Sequence, residues 1–290
     1  MSTRSERPDH LQKGSNVSPL ESLIAAPLDT IKIRFQLSSV RSDGITGVDL
    51  VRNLLRNEGL LALWKGNVPA EALYILYGAS QFTSYSVLNR WLFEFQNQNQ
   101  YTLSQPTHSL LVGSGTGLIS TLVTYPFDLL RTRLAAHESR VLLSMSETCK
   151  NIYASDGTRG FFVGLRPTLL SVVANSGLFF WSYSLAREAV DQINEISPGK
   201  IWGVEAICGF LAGSTAKAIT FPLDTIRKRL QVTSGSHAFR MLVDHWRLYG
   251  FANFYRGFGV SLIKTAPTSA VSMAIYEYTL TTMRALSETF

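Results

Sequence analysis

Three stretches of the chain, residues 72–89, 109–127 and 167–186, carry no charged side chain. Each is long enough to cross a hydrocarbon core of ~30 Å as a helix. None is uniformly apolar. Ser, Thr, Tyr, Gln or Asn recurs in each, as expected of a helix with one face on lipid and another on a polar cavity. The surrounding pattern is the same in each third of the chain. An apolar helix runs into a proline, and a polar loop leads to a short amphipathic helix, predicted at Gly47–Arg56, Ser146–Ala154 and Phe239–Leu248. A second apolar helix then begins near Val68, Arg166 and Phe258.

The prolines open three related segments: Pro27-Leu28-Asp29-Thr30-Ile31-Lys32-Ile33-Arg34, Pro126-Phe127-Asp128-Leu129-Leu130-Arg131-Thr132-Arg133 and Pro222-Leu223-Asp224-Thr225-Ile226-Arg227-Lys228-Arg229. They share the pattern P-x-D-x-x-K/R-x-K/R at nearly constant spacing, and a chance match is of order 1 in 10⁴ per position. A second element follows each: Glu58-Gly59 to Trp64-Lys65-Gly66, Asp156-Gly157 to Phe162-Val163-Gly164, and Tyr249-Gly250 to Tyr255-Arg256-Gly257. With this paired signature the chain resembles the mitochondrial carrier family over roughly residues 15–286. Val163 stands where the family has a cation and Tyr249 where it has an acid. The resemblance implies an all-α membrane protein of six transmembrane helices, a pseudo-threefold bundle of three tandem two-helix repeats around a central cavity. The divisions are a polar leader over 1–14 and repeats over 15–98, 105–192 and 199–286. It also implies the mitochondrial inner membrane as location, cardiolipin as a lipid partner and a monomer.

A proline inside a helix frees a carbonyl and kinks the axis, and the Asp and following cation of each motif lie about one turn apart. Three kinks would bring three helix ends together with unlike charges facing inward. By resemblance the pairs are Asp29 with Arg131, Asp128 with Arg227 and Asp224 with Lys32, forming a matrix-side gate. Gln36 and Gln231 occupy the family's bracing position, where the second repeat has Ala135. The opposite, cytosolic gate is poor in ions: Tyr85, Tyr183 with Arg187, and Tyr276 with Glu277.

Charges at mid-membrane depth mark function unless they snorkel to the interface. Lys217 and Lys264 are the two candidates, and two lysines suit an anion such as phosphate. Tyr74, Tyr77, Gln81 and Tyr85 recur at helical spacing, a stripe that could stack on a heterocycle or simply pack against a neighbour. Ser171 and Asn175 lie at the matching depth of the fourth helix. Within the family, the segments Lys65-Gly66-Asn67-Val68-Pro69, Tyr74 to Phe82 and Lys264-Thr265-Ala266-Pro267-Thr268, with the leader Leu11 to Val17, resemble carriers of thiamine pyrophosphate. That likeness implies import of this cofactor as transported substrate, in exchange for nucleotides. The same cavity chemistry admits an adenine nucleotide or coenzyme A, and a non-transporting degenerate carrier is the remaining alternative.

Composition alters little. The net charge of +6 and a pI near 9.4 fit basic loops under the positive-inside rule, and a nucleic-acid partner is not expected of a chain with apolar spans. Cys149 and Cys208 make neither a disulfide framework nor a metal site. No nucleophile–base pair or metal cluster suggests an enzyme. Met1–Gly14 is polar and mixed in charge, unlike a secretory signal or an Arg-rich transit peptide. One departure stands out. Repeats two and three have small-residue runs, Gly113–Gly117 and Gly209–Gly213, well before their prolines, whereas repeat one offers only Leu20–Ala26 between Pro19 and Pro27. Helix one is therefore expected to start late, short by roughly a dozen of the ~20 residues a span needs, as if residues were omitted between Ala25 and Ala26.

Overall fold

The computed structural model describes residues 19–38, 47–99, 103–140, 143–196, 204–233, 243, 246–247 and 250–264. Among these residues all regular structure is helical. The proline-bearing helices are α1 (Pro19–Leu37), α4 (Gln105–Ala136) and α7 (Val204–Val232), each continuous through its proline. Between them lie the short α2 (Gly47–Glu58) and α5 (Met145–Asp156) and the long α3 (Asn67–Asn99) and α6 (Leu165–Ile196). The last helix, α8, opens the second half of repeat three and is described over 258–264. The short helix expected at Phe239–Leu248 lies mostly outside the described residues.

The repeat is written into the backbone as well as the sequence. Among the described residues six glycines have positive φ, and they form three pairs: Gly59 and Gly66, Gly157 and Gly164, Gly250 and Gly257. Each pair brackets one turn of 3-10 helix, at Leu60–Trp64, Gly157–Phe162 and Phe251–Tyr255. The turn is pinned to the proline-bearing helix of its own repeat. Thr30 Oγ1 donates to the Leu63 carbonyl at 2.8 Å and Thr225 Oγ1 to the Phe254 carbonyl at 2.6 Å. The second repeat has Leu129 at the threonine position, and there the Tyr125 hydroxyl donates to the Val163 carbonyl at 2.7 Å instead.

The packing is inside out for a water-soluble protein. Thr116, Ser120, Thr124 and Thr132 of α4 are buried, while Leu111, Leu122 and Val123 of the same helix are exposed. On the other long helices Ile75, Phe82, Trp91, Leu170, Trp181, Phe210 and Ile219 also face outward. Large apolar side chains on the outside and small polar ones within are what a hydrocarbon surrounding selects. Two helical stretches among the described residues, Thr107–Ala136 and Met145–Ala186, are long and apolar enough to cross a membrane. The small residues serve close approach between helices: a methyl at Gly115 would meet Leu88 of α3 at 3.0 Å, and one at Gly117 would meet Val172 of α6 at 3.2 Å.

Helix α1 is described from Pro19 onward. It has 19 residues against 32 in α4 and 29 in α7. At ~1.5 Å per residue, Pro19–Ala26 gives about 12 Å before the proline, whereas Gln105–Tyr125 gives about 31 Å. Beyond their prolines the three helices are alike. There α1, α4 and α7 contact one another pairwise, so three helix ends converge below the bundle.

Candidate functional site

At that convergence lies a cavity of about 220 Å³ lined by Asp29, Lys32, Asp128, Arg131, Lys217, Asp224, Arg227, Lys228 and Lys264, with Ile33 and Gln36. Three motif carboxylates thus face six cations, a surplus of three positive charges at the floor of the bundle. Two expected pairs are formed. Arg131 binds Asp29, and Arg227 binds Asp128 at 2.5 Å. The third differs from the expectation. Asp224 takes Lys217, not Lys32. Lys217 and Asp224 are seven residues apart on α7, two helical turns, so they share a face and pair without crossing between helices. The Lys32 ammonium instead lies 5.7 Å above the Phe221 ring. Lys264 of α8 adds a second cation to Asp29, and Lys228 adds one to Asp128 at 3.1 Å.

The glutamines behave differently from each other. Gln231 Nε2 donates to Asp128 at 2.6 Å and its Oε1 accepts from Lys228 at 3.1 Å, so it braces the Asp128 cluster. Gln36, fully buried, reaches Thr225 Oγ1 at 3.5 Å across the α1–α7 seam and no ion pair. The second cation of each motif has a role the sequence reading missed. Arg34 donates to the His137 carbonyl at 2.8 Å, Arg133 to Gln231 at 2.9 Å and Arg229 to Gln36 at 3.0 Å. Each arginine thereby caps the C-terminal end of the next proline-bearing helix, α1 onto α4, α4 onto α7 and α7 onto α1. A cation at that end satisfies orphan carbonyls and the helix dipole together. The signal was the second K/R of the repeated pattern, whose recurrence three residues before a helix end was left unexplained.

Repeat one adds a further clamp. Glu58 binds both Arg34 and Lys65, and Lys65 also donates to the His137 carbonyl at 2.9 Å. Val163 leaves the second repeat without this lysine.

The remaining predicted side chains divide between the cavity wall and the seams. Tyr74 lies under Arg131, its hydroxyl 2.9 Å from Nη1 and its ring 5.5 Å from the guanidinium carbon. Tyr77, Gln81 and Tyr85 are half-buried along the same face of α3, while Ile75, Phe82 and Trp91 are exposed. The stripe therefore faces inward. Ser171 Oγ sits 3.3 Å from Asp224, within its ionic cluster, and Asn175 accepts from Thr220 at 3.4 Å. Tyr183 stacks on Phe179 with ring centroids 6.3 Å apart. The Arg187 side chain, Tyr276 and Glu277 lie outside the described residues. Exposure separates the cations: the side chains of Lys217 and Lys264 are 35% and 23% exposed against 14% for Arg131 and Lys228. The first two line the open end of the cluster and the others plug it. Among the described residues no group of three or more His, Cys, Asp or Glu converges to hold a metal.

Comparison with known sequences identifies the family. The profile of the family described as mitochondrial carrier protein matches residues 10–96, 103–193 and 200–286. The chain is 50% identical to mitochondrial thiamine pyrophosphate carrier 1 of Scheffersomyces stipitis, with 97% of each protein covered. It is 49% identical to the protein of the same name in Candida albicans, with 98% of each covered, and 46% identical to that of Lodderomyces elongisporus, with 96% of each covered. The first alignment runs over 303 positions, more than the chain's 290 residues, so that relative carries residues for which this chain has none. Matched in three successive segments by one family profile, and alike along nearly its full length to curated members, the chain belongs to the mitochondrial carrier protein family of the mitochondrial inner membrane.

Proposed function

We propose that this carrier imports thiamine pyrophosphate into the matrix by alternating access, in exchange for nucleotides. The observation that carries the reading is the cavity floor with three cations more than carboxylates. A surplus of positive charge away from bulk water attracts a polyanion, and ammonium and guanidinium groups bind diphosphate oxygens through charge-assisted hydrogen bonds. Proteins 46–50% identical to this chain bear thiamine pyrophosphate in their names, and the inward tyrosine and glutamine stripe of α3 offers a surface for a flat, polar ring. The cavity of about 220 Å³ suits the charged end of such a molecule rather than the whole of it.

The ion pairs supply the gate. Asp29 with Arg131 ties α1 to α4, Asp128 with Arg227 ties α4 to α7, and Arg229 on the Gln36 carbonyl ties α7 to α1. An incoming diphosphate competes with Asp224 for Lys217 and with Asp29 for Lys264, which withdraws one cation from each of two carboxylates as cargo arrives. These three ties all lie within one chain, which supports a working monomer. An adenine nucleotide or coenzyme A would satisfy the same cations. Ligands that bind only the folded state raise its thermal midpoint in proportion to occupancy. Thermal unfolding of the purified protein in detergent should therefore show a larger shift with thiamine pyrophosphate than with ADP or coenzyme A at equal concentration. A shift with either nucleotide and none with thiamine pyrophosphate would reassign the cargo.

A further inference from the structure

We propose that a second anion site, centred on Arg256 and separate from the transport cavity, takes a phosphorylated organic anion of mononucleotide size. The second conserved element of each repeat pairs an acid position with a cation position. In repeat one these are Glu58 and Lys65, and the two side chains bind each other. Repeat two keeps the acid, Asp156, and has Val163 in place of the cation. Repeat three keeps the cation, Arg256, and has Tyr249 in place of the acid. Arg256 is therefore the cation whose partner the sequence leaves out. Among the described residues it forms no ion pair, and its Nη1 is buried without a hydrogen-bond partner.

Arg256 lines a cavity of about 610 Å³, a size at which small-molecule sites are found. That cavity shares no lining residue with the one around Asp29, Asp128 and Asp224. Its walls come from all three repeats: Arg34 and the inner side of α2 from the first, Glu138 and Ser139 from the second, and Arg256 from the third. The wall charges sort into pairs with one left over. Glu58 binds Arg34 and Lys65, and Glu138 lies 3.2 Å from Arg34. The Arg256 guanidinium remains, and such a group binds phosphate through two parallel hydrogen bonds. Leu37, Leu50 and Leu54 give the same cavity an apolar side, and Asn53 and Asn57 place amides beside it. Inorganic phosphate would use the arginine alone, whereas an anion with a flat, polar body would use all three features. Because three repeats form the walls, an anion bound here favours the arrangement in which these helix ends are together and opposes their separation.

The inference does not depend on which cargo is carried. The test titrates AMP into purified wild type, Arg256→Gln, Arg256→Lys, Asn53→Trp and Lys264→Ala in detergent and follows the thermal midpoint, which rises with occupancy of the folded state. Without ligand, Arg256→Gln should unfold at or near the wild-type midpoint, because no ion pair is lost, whereas Lys65→Met should unfold below it. With AMP, Arg256→Gln should lose about tenfold or more in apparent affinity, as for a hydrogen bond to a charged group, and Arg256→Lys should lose less. Asn53→Trp, which fills the cavity and leaves the arginine in place, should lose the response as well, and Lys264→Ala should keep it. No response of wild type to AMP would overturn the proposal, and so would an unliganded Arg256→Gln midpoint as low as that of Lys65→Met. A response lost in Lys264→Ala and kept in Arg256→Gln would put AMP in the transport cavity and overturn it too. If both changes weaken AMP, Asn53→Trp decides: a lost response upholds the second site and a retained one removes it. A parallel titration with cardiolipin separates the two sources of phosphate. Arg256-dependent stabilisation by cardiolipin with none by AMP would give the site to a lipid headgroup and contradict the proposal.

Discussion

Asp128 sits between Arg227, Lys228 and the amide of Gln231, whereas Asp224 has Lys217 and the Ser171 hydroxyl. The three motif aspartates are thus equivalent in sequence and unequal in surroundings. That inequality changes what a charge exchange should do. Asp128→Arg alone should abolish transport. Adding Arg227→Asp re-forms the pair with reversed sign but leaves the new arginine beside Lys228, so recovery should be partial. A third change, Lys228→Gln, should raise it further, because contacting charges are not additive. Uptake by the single, double and triple variants in liposomes checks the order, and a triple variant no better than the single one would show the pairing to be wrong.

Two of the three pairs were legible because an Asp and a cation one turn apart, repeated beside three prolines, admit few other partners. The third was not, because three helices bring several lysines to one carboxylate and the motif does not rank them. Here the seven-residue step from Lys217 to Asp224 decided it, and that step was present in the sequence.

Among the elements, the 3-10 turns join each repeat to the next through a glycine. A methyl at Gly66 would stand 2.6 Å from the Arg131 carbonyl, while Gly59, with similar positive φ, has nothing within 4 Å. Both Gly→Ala changes force an unfavourable backbone, at about 1–3 kcal/mol each, but only Gly66→Ala also pushes α3 off α4. Thermal unfolding in detergent should show a clearly larger fall in midpoint for Gly66→Ala than for Gly59→Ala, and equal falls would mean that the close approach is dispensable.

The short α1 is the element where chain and family part. Its described part has eight residues before Pro27, Glu21 among them, where α4 has 21 before Pro126, and unsatisfied backbone in hydrocarbon costs several kcal/mol per group. Insertion of about twelve small and apolar residues after Ala25 should complete the ~20-residue span. The completed protein should be more thermostable than the natural chain and transport faster. Equal stability and equal rates would show the missing turns to be unnecessary. Helix length was readable from the two prolines, since Pro19 and Pro27 bound so few residues. The arginine caps left only the second K/R of the motif as a signal, because a carbonyl acceptor leaves no trace in side-chain pattern.

At the scale of the molecule, the structure joins an outward apolar surface, an inward face of Ser, Thr, Tyr and Gln, and one cationic floor where three helices meet. The outward surface was visible as charge-free stretches and the floor as the repeated motif. The positive sign of the floor was visible through Lys217 and Lys264, whereas its full size was not, since Lys228 also turns inward to Asp128. The central claim is that this surplus exists to carry a phosphorylated cofactor across the membrane. Uptake of labelled thiamine pyrophosphate into liposomes holding the purified protein, preloaded with nucleotide, tests it most directly. Saturable uptake by the natural chain, faster after completion of α1 and strongly reduced by Lys264→Ala, is the predicted result. No uptake above empty liposomes by either the natural or the completed chain would contradict it.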